Sequence, residues 1–327
     1  MSTVLVTGAA GFIGSHTVEA LLTRGDTVVG LDNFSPYYDP RRKRANLRAV
    51  MQHPRAECFR MEEGSIGDVE RVEELFRETR PDAVVHLAGM PGVKASLENP
   101  TLYMDVNIQG TLNVLTAAHK AGTSGFVFGS TSSAYGNTSR MPFQEDDAAD
   151  RPLAPYAASK RAAELLAHTF HHLYAMQVTV LRFFTVYGPR NRPDMMAFKV
   201  LESIVEGREI PLYDGGRMYR DWTYVTDIVA GILAAVERPQ GYEIINLGRG
   251  QPTLVLDFLR GLEALAGRPA NVVSHARLDF DAVATNADIS KARDLLGYNP
   301  MTTVAEGVKL LWNWYGQGKS ASPGLTR

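Results

Sequence analysis

The chain has 327 residues, with 34 basic and 36 acidic side chains and a formal net charge of −2, so no global positive field points to nucleic acid. Its 45% hydrophobic and 21% charged residues are the proportions of a soluble globular enzyme, and the length allows a large core in one intertwined domain or two. A single cysteine, Cys58, excludes an intrachain disulfide, and without a basic leader or an apolar stretch long enough for a bilayer a cytoplasmic protein with no membrane contact is expected.

TVLVTG reads as the first strand, and TGAAGFIGSH follows it with Gly8, Gly11 and Gly14 three apart at the opening of a helix. In that context the glycines suit a tight turn, a close backbone approach and helix N–H groups aimed at a diphosphate. The next strand, DTVVGLDN, ends in Asp32, whose carboxylate can accept both ribose hydroxyls of adenosine and would repel a 2′-phosphate, favouring NAD over NADP. RRKR at Arg41–Arg44 is the only dense basic run and reads as the solvated start of a surface helix. Asp68, in GSIGDVE, either bonds the adenine amino group or caps the helix VERVEELFRET. DAVVHLAG is a buried strand; His86 reads as a core histidine bonded to backbone, and Ala88 and Gly89 are small enough to lie flat against a cofactor.

NIQGTLNVLTAAHKAG is a helix, GFVFGSTSS a strand ending in hydroxyls, AASKRAAELLAHTFHHLYA a second helix and QVTVLRFFTV a further strand. Apolar strands alternating with helices predict a Rossmann-type α/β fold, a doubly wound parallel sheet, over residues 1–187. Gly- and Arg-rich loops then open a smaller C-terminal substrate-binding domain, 188–226 and 259–318, while 227–258, with the strand EIINLG, returns to the first. Residues 319–327 read as a flexible tail, and no metal is expected.

PYAASKRAAE puts Tyr156 four residues before Lys160, on one helix face. An ammonium and a pyridinium near a phenol bring its ionisation toward neutrality, so that it can take a proton from a sugar hydroxyl as hydride leaves the same carbon. The hydroxyls of GSTSSAYG can line the same cleft. TGAAGFIG, this hydroxyl strand and YxxxK together resemble the extended short-chain dehydrogenase/reductase family of nucleotide-sugar enzymes. LDNFSPYYDPRRKRANL, RFFTVYGPRNRPDMM, RDWTYVTDIV and ADISKARDLLGY are most similar to its UDP-glucuronate 4-epimerases, and the likeness covers about residues 3–315. It implies Thr131 as the catalytic hydroxyl, Tyr156 as the base, and Lys160 as the residue that holds ribose and lowers the tyrosine's pKa. It also implies a cofactor shell that adds Phe12, Ile13, Asn33, Leu87 and Phe183, a UDP-sugar as partner, and a homodimer built on helices near 101–121 and 157–175.

Relatives that dehydrate or decarboxylate resemble the chain but carry an acid in the hydroxyl strand, where this one has Ser132 and Ser133. Without that acid no agent removes the carbon-5 proton, so 4-epimerisation of a UDP-hexuronate is the expected reaction. A UDP-hexose or UDP-N-acetylhexosamine 4-epimerase is the alternative, and a UDP-glucuronate decarboxylase the third reading. The oxidised uronate is a β-keto acid whose carboxylate must be held; Ser132, Ser133 and Thr185 offer short donors and Arg192 a fork, unless Arg192 only ties down Asp194. Arg220 matches the diphosphate arginine, or else caps a helix by pairing with Asp227. Lys94 and Lys199 are further substrate candidates, each with a solvated alternative. Arg277 is the candidate second nucleotide arginine, although the segment before ADISKA departs from the family pattern.

Overall fold

The computed structural model describes residues 1–278 and 282–321, with the side chains of 318–321 left aside. The apolar runs form strands buried on both faces: Val4, Leu5 and Val6 of the first, and Val84 and Val85 of the fourth, are fully buried. In chain order these are β1 (Thr3–Thr7), β2 (Thr27–Asp32), β3 (Phe59–Glu63), β4 (Ala83–His86), β5 (Gly125–Thr131) and β6 (Gln177–Phe183). Then come β7 (Thr185–Tyr187), β8 (Glu209–Tyr213), β9 (Tyr219–Arg220), β10 (Trp222–Tyr224), β11 (Tyr242–Leu247), β12 (Thr253–Leu254) and β13 (Asn271–His275). The main sheet has seven strands in the order β11-β6-β5-β4-β1-β2-β3, every neighbouring pair parallel. The winding reverses between β1 and β4, and a crevice opens at the carboxyl ends of those two strands. β3 is an edge strand in which only Phe59 is buried, which is why its sequence carries no apolar run.

The helices are α1 (Phe12–Arg24), α2 (Pro40–Val50), α3 (Val69–Thr79), α4 (Val93–Glu98), α5 (Pro100–Tyr103), α6 (Gly110–Ala121) and α7 (Pro155–Tyr174). They are followed by α8 (Met196–Glu206), α9 (Val225–Glu237), α10 (Val255–Ala266), α11 (Ser290–Leu296) and α12 (Val304–Ala321). Between α5 and α6 lies a π-helical turn, Met104–Gln109, a feature that recurs at functional sites. Residues 319–321, expected in a flexible tail, instead continue α12; the rest of that expected tail lies outside the described residues.

His86 is a core histidine, but its partners are side chains rather than backbone. Nδ1 lies 2.7 Å from the Thr7 hydroxyl and Nε2 3.0 Å from the Thr111 hydroxyl. Thr111 donates to the Asn107 carbonyl and so accepts from His86; Thr7 accepts from Ala88 N–H and so donates to it. One neutral tautomer satisfies the whole chain. Burial pushes His86 down to about 3, in keeping with a neutral ring.

After β7 the backbone is organised by a buried carboxylate. Asp221, fully buried, accepts from the N–H groups of Arg249, Gly250 and Ala287 at 2.6, 2.9 and 3.0 Å, and from the Thr223 hydroxyl at 3.1 Å. Beside it Trp222 stacks on Phe258 at 4.1 Å, with Tyr187 edge-on to both. Asp221→Ala leaves three N–H groups without an acceptor and should lower unfolding stability by about 3 kcal/mol or more, read as a lower urea midpoint. Thr223→Val should cost about 1 kcal/mol by the same measurement.

Candidate active site

The crevice at β1 and β4 is a cleft of about 620 Å³. Gly8 (φ +72°) crosses so near β4 that a Cβ there would lie 2.9 Å from Ala88 N, and a Cβ on Gly14 would collide with the Gly8 carbonyl. The backbone approach expected of a diphosphate-binding turn is therefore present. Of the expected cofactor residues, the three glycines, Phe12, Ile13, Asp32, Asn33, Leu87, Ala88, Gly89, Tyr156, Lys160 and Phe183 all line this cleft. Asp68 does not: it is exposed and accepts from Arg71 N–H at 3.1 Å as the N-cap of α3, so the capping alternative describes its place.

Asp32 is buried and holds three donors: Ala10 N–H at 3.2 Å, Phe34 N–H at 2.8 Å and the Lys43 ammonium at 2.9 Å. Lys43 was not singled out, because RRKR read as a solvated face. Arg41 and Arg44 are exposed, while Arg42 and Lys43 are partly buried. Lys43 turns into the cleft, Arg42 pairs with Glu202 and lies over Phe198, and Arg44 pairs with Glu63 and lies over Phe34. The run is amphipathic in its partners: its cations stitch α2 to α8, to β3 and to the cleft.

At the other end, α7 begins with Pro155 at its first turn, where a missing N–H costs nothing, and turns Tyr156, Lys160 and Glu164 toward β5 and β6. The Tyr156 phenol is pushed up by burial, and pulled down by a hydrogen bond from Thr131 and by the charge of Arg192. Lys160 is not among the groups that shift it here. Lys160 is buried, pushed down to about 7 by desolvation and supported by Glu164, and its ammonium sits over the Phe128 ring at 4.1 Å. The cation acting on the phenol is Arg192. Thr131 Oγ1 accepts from Ser133 N–H at 3.1 Å, which leaves its own proton available to the phenol. Asn107 in the π turn was also missed: it accepts from Met90 N–H at 2.7 Å and donates to Ser159 Oγ at 2.9 Å, tying the β4 loop to α7.

Arg192 lines the cleft, and its guanidinium grips Asp194 through Nε at 2.9 Å and Nη2 at 3.0 Å. Tyr37, from the loop after β2, donates to the same carboxylate at 3.1 Å. The tie to Asp194 set against a substrate role for Arg192 is thus real, and it coexists with a place in the cleft. Ser132 and Ser133 form a 3-10 turn at the end of β5, half-buried, and Thr185 starts β7 beside Asp221. The other substrate candidates are not brought to this cleft. Lys94 on α4 and Lys199 on α8 are exposed. Arg220 donates to the carbonyls of Tyr219 and Val283 and not to Asp227, whose carboxylate accepts from Met301 and Thr302 N–H. Arg277 is exposed just past β13, and residues 279–281 beyond it lie outside the described residues.

A profile of the NAD dependent epimerase/dehydratase family matches residues 4–248. A UDP-glucuronate 4-epimerase of Thermodesulfobacterium geofontis is 43% identical over 318 residues, 96% of each chain. The UDP-glucuronic acid 4-epimerase of Bacillus cereus, solved with UDP-glucuronic acid and NAD, superposes with a TM-score of 0.89 at 33% identity, covering 96% of this chain and 99% of that one. DesIV, a dTDP-glucose 4,6-dehydratase of Streptomyces venezuelae solved with NAD, also gives 0.89, at 29% identity over 98% of each chain.

The cleft fits NAD: a bare backbone turn for the diphosphate and a carboxylate at the end of β2. Asp32→Ser frees the Lys43 ammonium, so affinity for NADP relative to NAD should rise by about tenfold or more, measured by titrating each nucleotide into stripped protein.

Proposed function

The chain belongs to the NAD dependent epimerase/dehydratase family, and we propose that within it the protein interconverts UDP-glucuronate and UDP-galacturonate at carbon 4. The observation that carries the reading is Tyr156 at the meeting of two environments, the cofactor cleft on one side and the Arg192 guanidinium on the other. NAD bound in the cleft supplies an acceptor for the carbon-4 hydride, and then its donor. Tyr156 takes the proton of the 4-hydroxyl, and Thr131, hydrogen bonded to the phenol, holds the reacting oxygen. Lys160 holds the cofactor's ribose. Its position beside Gly89, on the floor of the cleft, supports that role.

The oxidised sugar must turn over within the site while its diphosphate stays anchored, and Arg220, on β9 outside the lining of the cofactor cleft, is the proposed anchor. Meanwhile its carboxylate must not align for loss of carbon dioxide. Arg192, with Ser132, Ser133 and Thr185 at the ends of β5 and β7, forms the proposed carboxylate site. The serines stand where a dehydratase would need an acid. The protein works as a cytoplasmic homodimer through α6 and α7, a reading supported by the exposed Leu165, Leu173 and Tyr174 on α7. The Rossmann-type part comprises residues 1–187 and 227–258, and the remainder to 318 forms the substrate-binding part. The arrival of β11 as seventh strand supports that division.

Incubation with UDP-glucuronate should give a second set of anomeric protons by NMR, that of the galacto epimer, and UDP-glucose should be turned over poorly. Conversion of UDP-glucose alone would replace the substrate assignment with a neutral hexose, and a pentose product would mean that the serine argument fails. Tyr156→Phe should lower kcat by about 10³-fold in folded protein. Arg192→Ala should cost the acid substrate far more than the neutral one. It also removes the charge that lowers Tyr156, so the acid limb of the kcat/KM profile should move to higher pH.

A further inference from the structure

Arg192 has five N–H groups, and the structure accounts for only part of them. Asp194 takes Nε and one hydrogen of Nη2, the side-on edge of the guanidinium. The end-on edge, Nη1 with the second Nη2 hydrogen, has no hydrogen-bond partner among the described residues, and Arg192 faces the cleft that Tyr156 shares. An end-on edge is a second carboxylate fork.

The local sequence builds this presentation. Met195 N–H bonds the Arg192 carbonyl at 3.2 Å, closing a turn with Pro193 in the position that favours proline. Arg192 and Asp194 therefore stand close on one turn. Asp194 is held from outside it: Tyr37 reaches over from the loop after β2 and donates to Oδ2. That hydroxyl lies where a Cβ on Gly92 (φ +97°) would sit, so the crossing needs glycine at the start of α4. The loops after β2 and β7 meet at this carboxylate, and the loop after β4 packs against the Tyr37 hydroxyl that reaches it.

We infer that Asp194 and Tyr37 are positioning residues which lock the Arg192 guanidinium so that its end-on edge meets the carboxylate of a uronate substrate. The inference rests on the uronate reading above and deepens it. Its chemical consequence concerns the oxidised intermediate, a 4-keto uronate. If the carboxylate rotates perpendicular to the ketone, the C5–C6 bond breaks and carbon dioxide leaves. The electron pair passes into the C4 carbonyl as an enolate, and a proton then returns to C5 to give a 4-keto pentose, which the reduced cofactor already in the site can reduce. An arginine fixed in its plane holds the carboxylate out of that alignment; one free to swing does not.

A competing picture makes the opposite prediction. Were Asp194 merely occupying the fork that the substrate needs, its removal would tighten uronate binding. Asp194→Asn keeps the shape but sets an amide against a guanidinium edge, and Tyr37→Phe removes only the lock. With UDP-glucuronate, positioning requires KM to rise about tenfold in Asp194→Asn and severalfold in Tyr37→Phe, with a measurable UDP-pentose fraction by NMR. KM for UDP-glucose and the NAD content of the purified protein should stay within about twofold of wild type. A lower KM for UDP-glucuronate, or unchanged KM and product ratio, overturns the inference. So does a parallel loss for both sugars together with lost NAD, which would mark a structural role. Wild-type protein that fails to turn over UDP-glucuronate removes the parent reading and this one with it; wild-type turnover with indifferent variants removes only this one.

Discussion

The site depends on keeping an ammonium charged in a place that water does not reach. Lys160 lies on α7 against the sheet, and burial pulls its pKa down to about 7. The opposing influence is Glu164, one turn further along the same helix face. Glu164 is itself fully buried and is fixed by Arg182, by the Ser130 hydroxyl and by Arg161. Arg182 lies over the Tyr135 ring at 4.5 Å, and Tyr135 donates to Asn246 on β11 at 2.7 Å. Compensation for one lysine thus runs through β5, β6 and the strand that joins the sheet last. Buried ion pairs of this kind add little net stability, and Arg182 Nη1 has no hydrogen-bond partner among the described residues. Their value here is positional: they fix the carboxylate beneath the lysine.

The same helix is fixed from its other side by hydrogen bonds that contain no charge. The chain Ala88–Thr7–His86–Thr111–Asn107 joins β1, β4 and the π turn, and Asn107 passes the connection to Ser159 on α7. Thr7, His86 and Thr111 each have one donor and one acceptor role in this chain, which fixes the direction of its bonds. The chemistry-bearing face is therefore rigid where the cofactor lies. The rest of the cleft wall is built from loops, with Ser35–Tyr38 after β2 and Arg192 after β7.

Legibility in the sequence followed the physics of each signal. Strands buried on both faces announce themselves as unbroken apolar runs, and the glycine turn with Asp32 and the Tyr156–Lys160 pair are local patterns, so the sheet and nearly all of the cofactor cleft were readable. β3 was not, because an edge strand shows only one face. Charged residues were the hardest. Nothing local tells that Lys43 turns inward to Asp32 while Arg41 stays out, or that Asp68 is spent on capping α3. Lys94 and Lys199 were placed by motif position, and motif position does not say which face of a helix is wet. Asp221 and the Tyr37–Asp194 contact join residues far apart in the chain, and only the fold brings them together.

Equal structural likeness to an epimerase and to a dehydratase means that the sheet, the cofactor turn and the tyrosine helix do not choose the reaction. All of these chemistries share an oxidation at carbon 4, which those elements supply. They diverge in what then touches carbons 5 and 6. In this chain the candidates are few: two hydroxyls at the end of β5 where a base is needed for dehydration, and an arginine whose one edge is occupied by Asp194. A hydroxyl without a general base beside it leaves the carbon-5 proton in place. A guanidinium with a clamped plane holds a carboxylate in one orientation, where a lysine would hold it in many. With Ser132, Ser133 and Arg192 in their proposed roles, return of hydride to carbon 4 is the path left open, and the sugar's rotation decides its face.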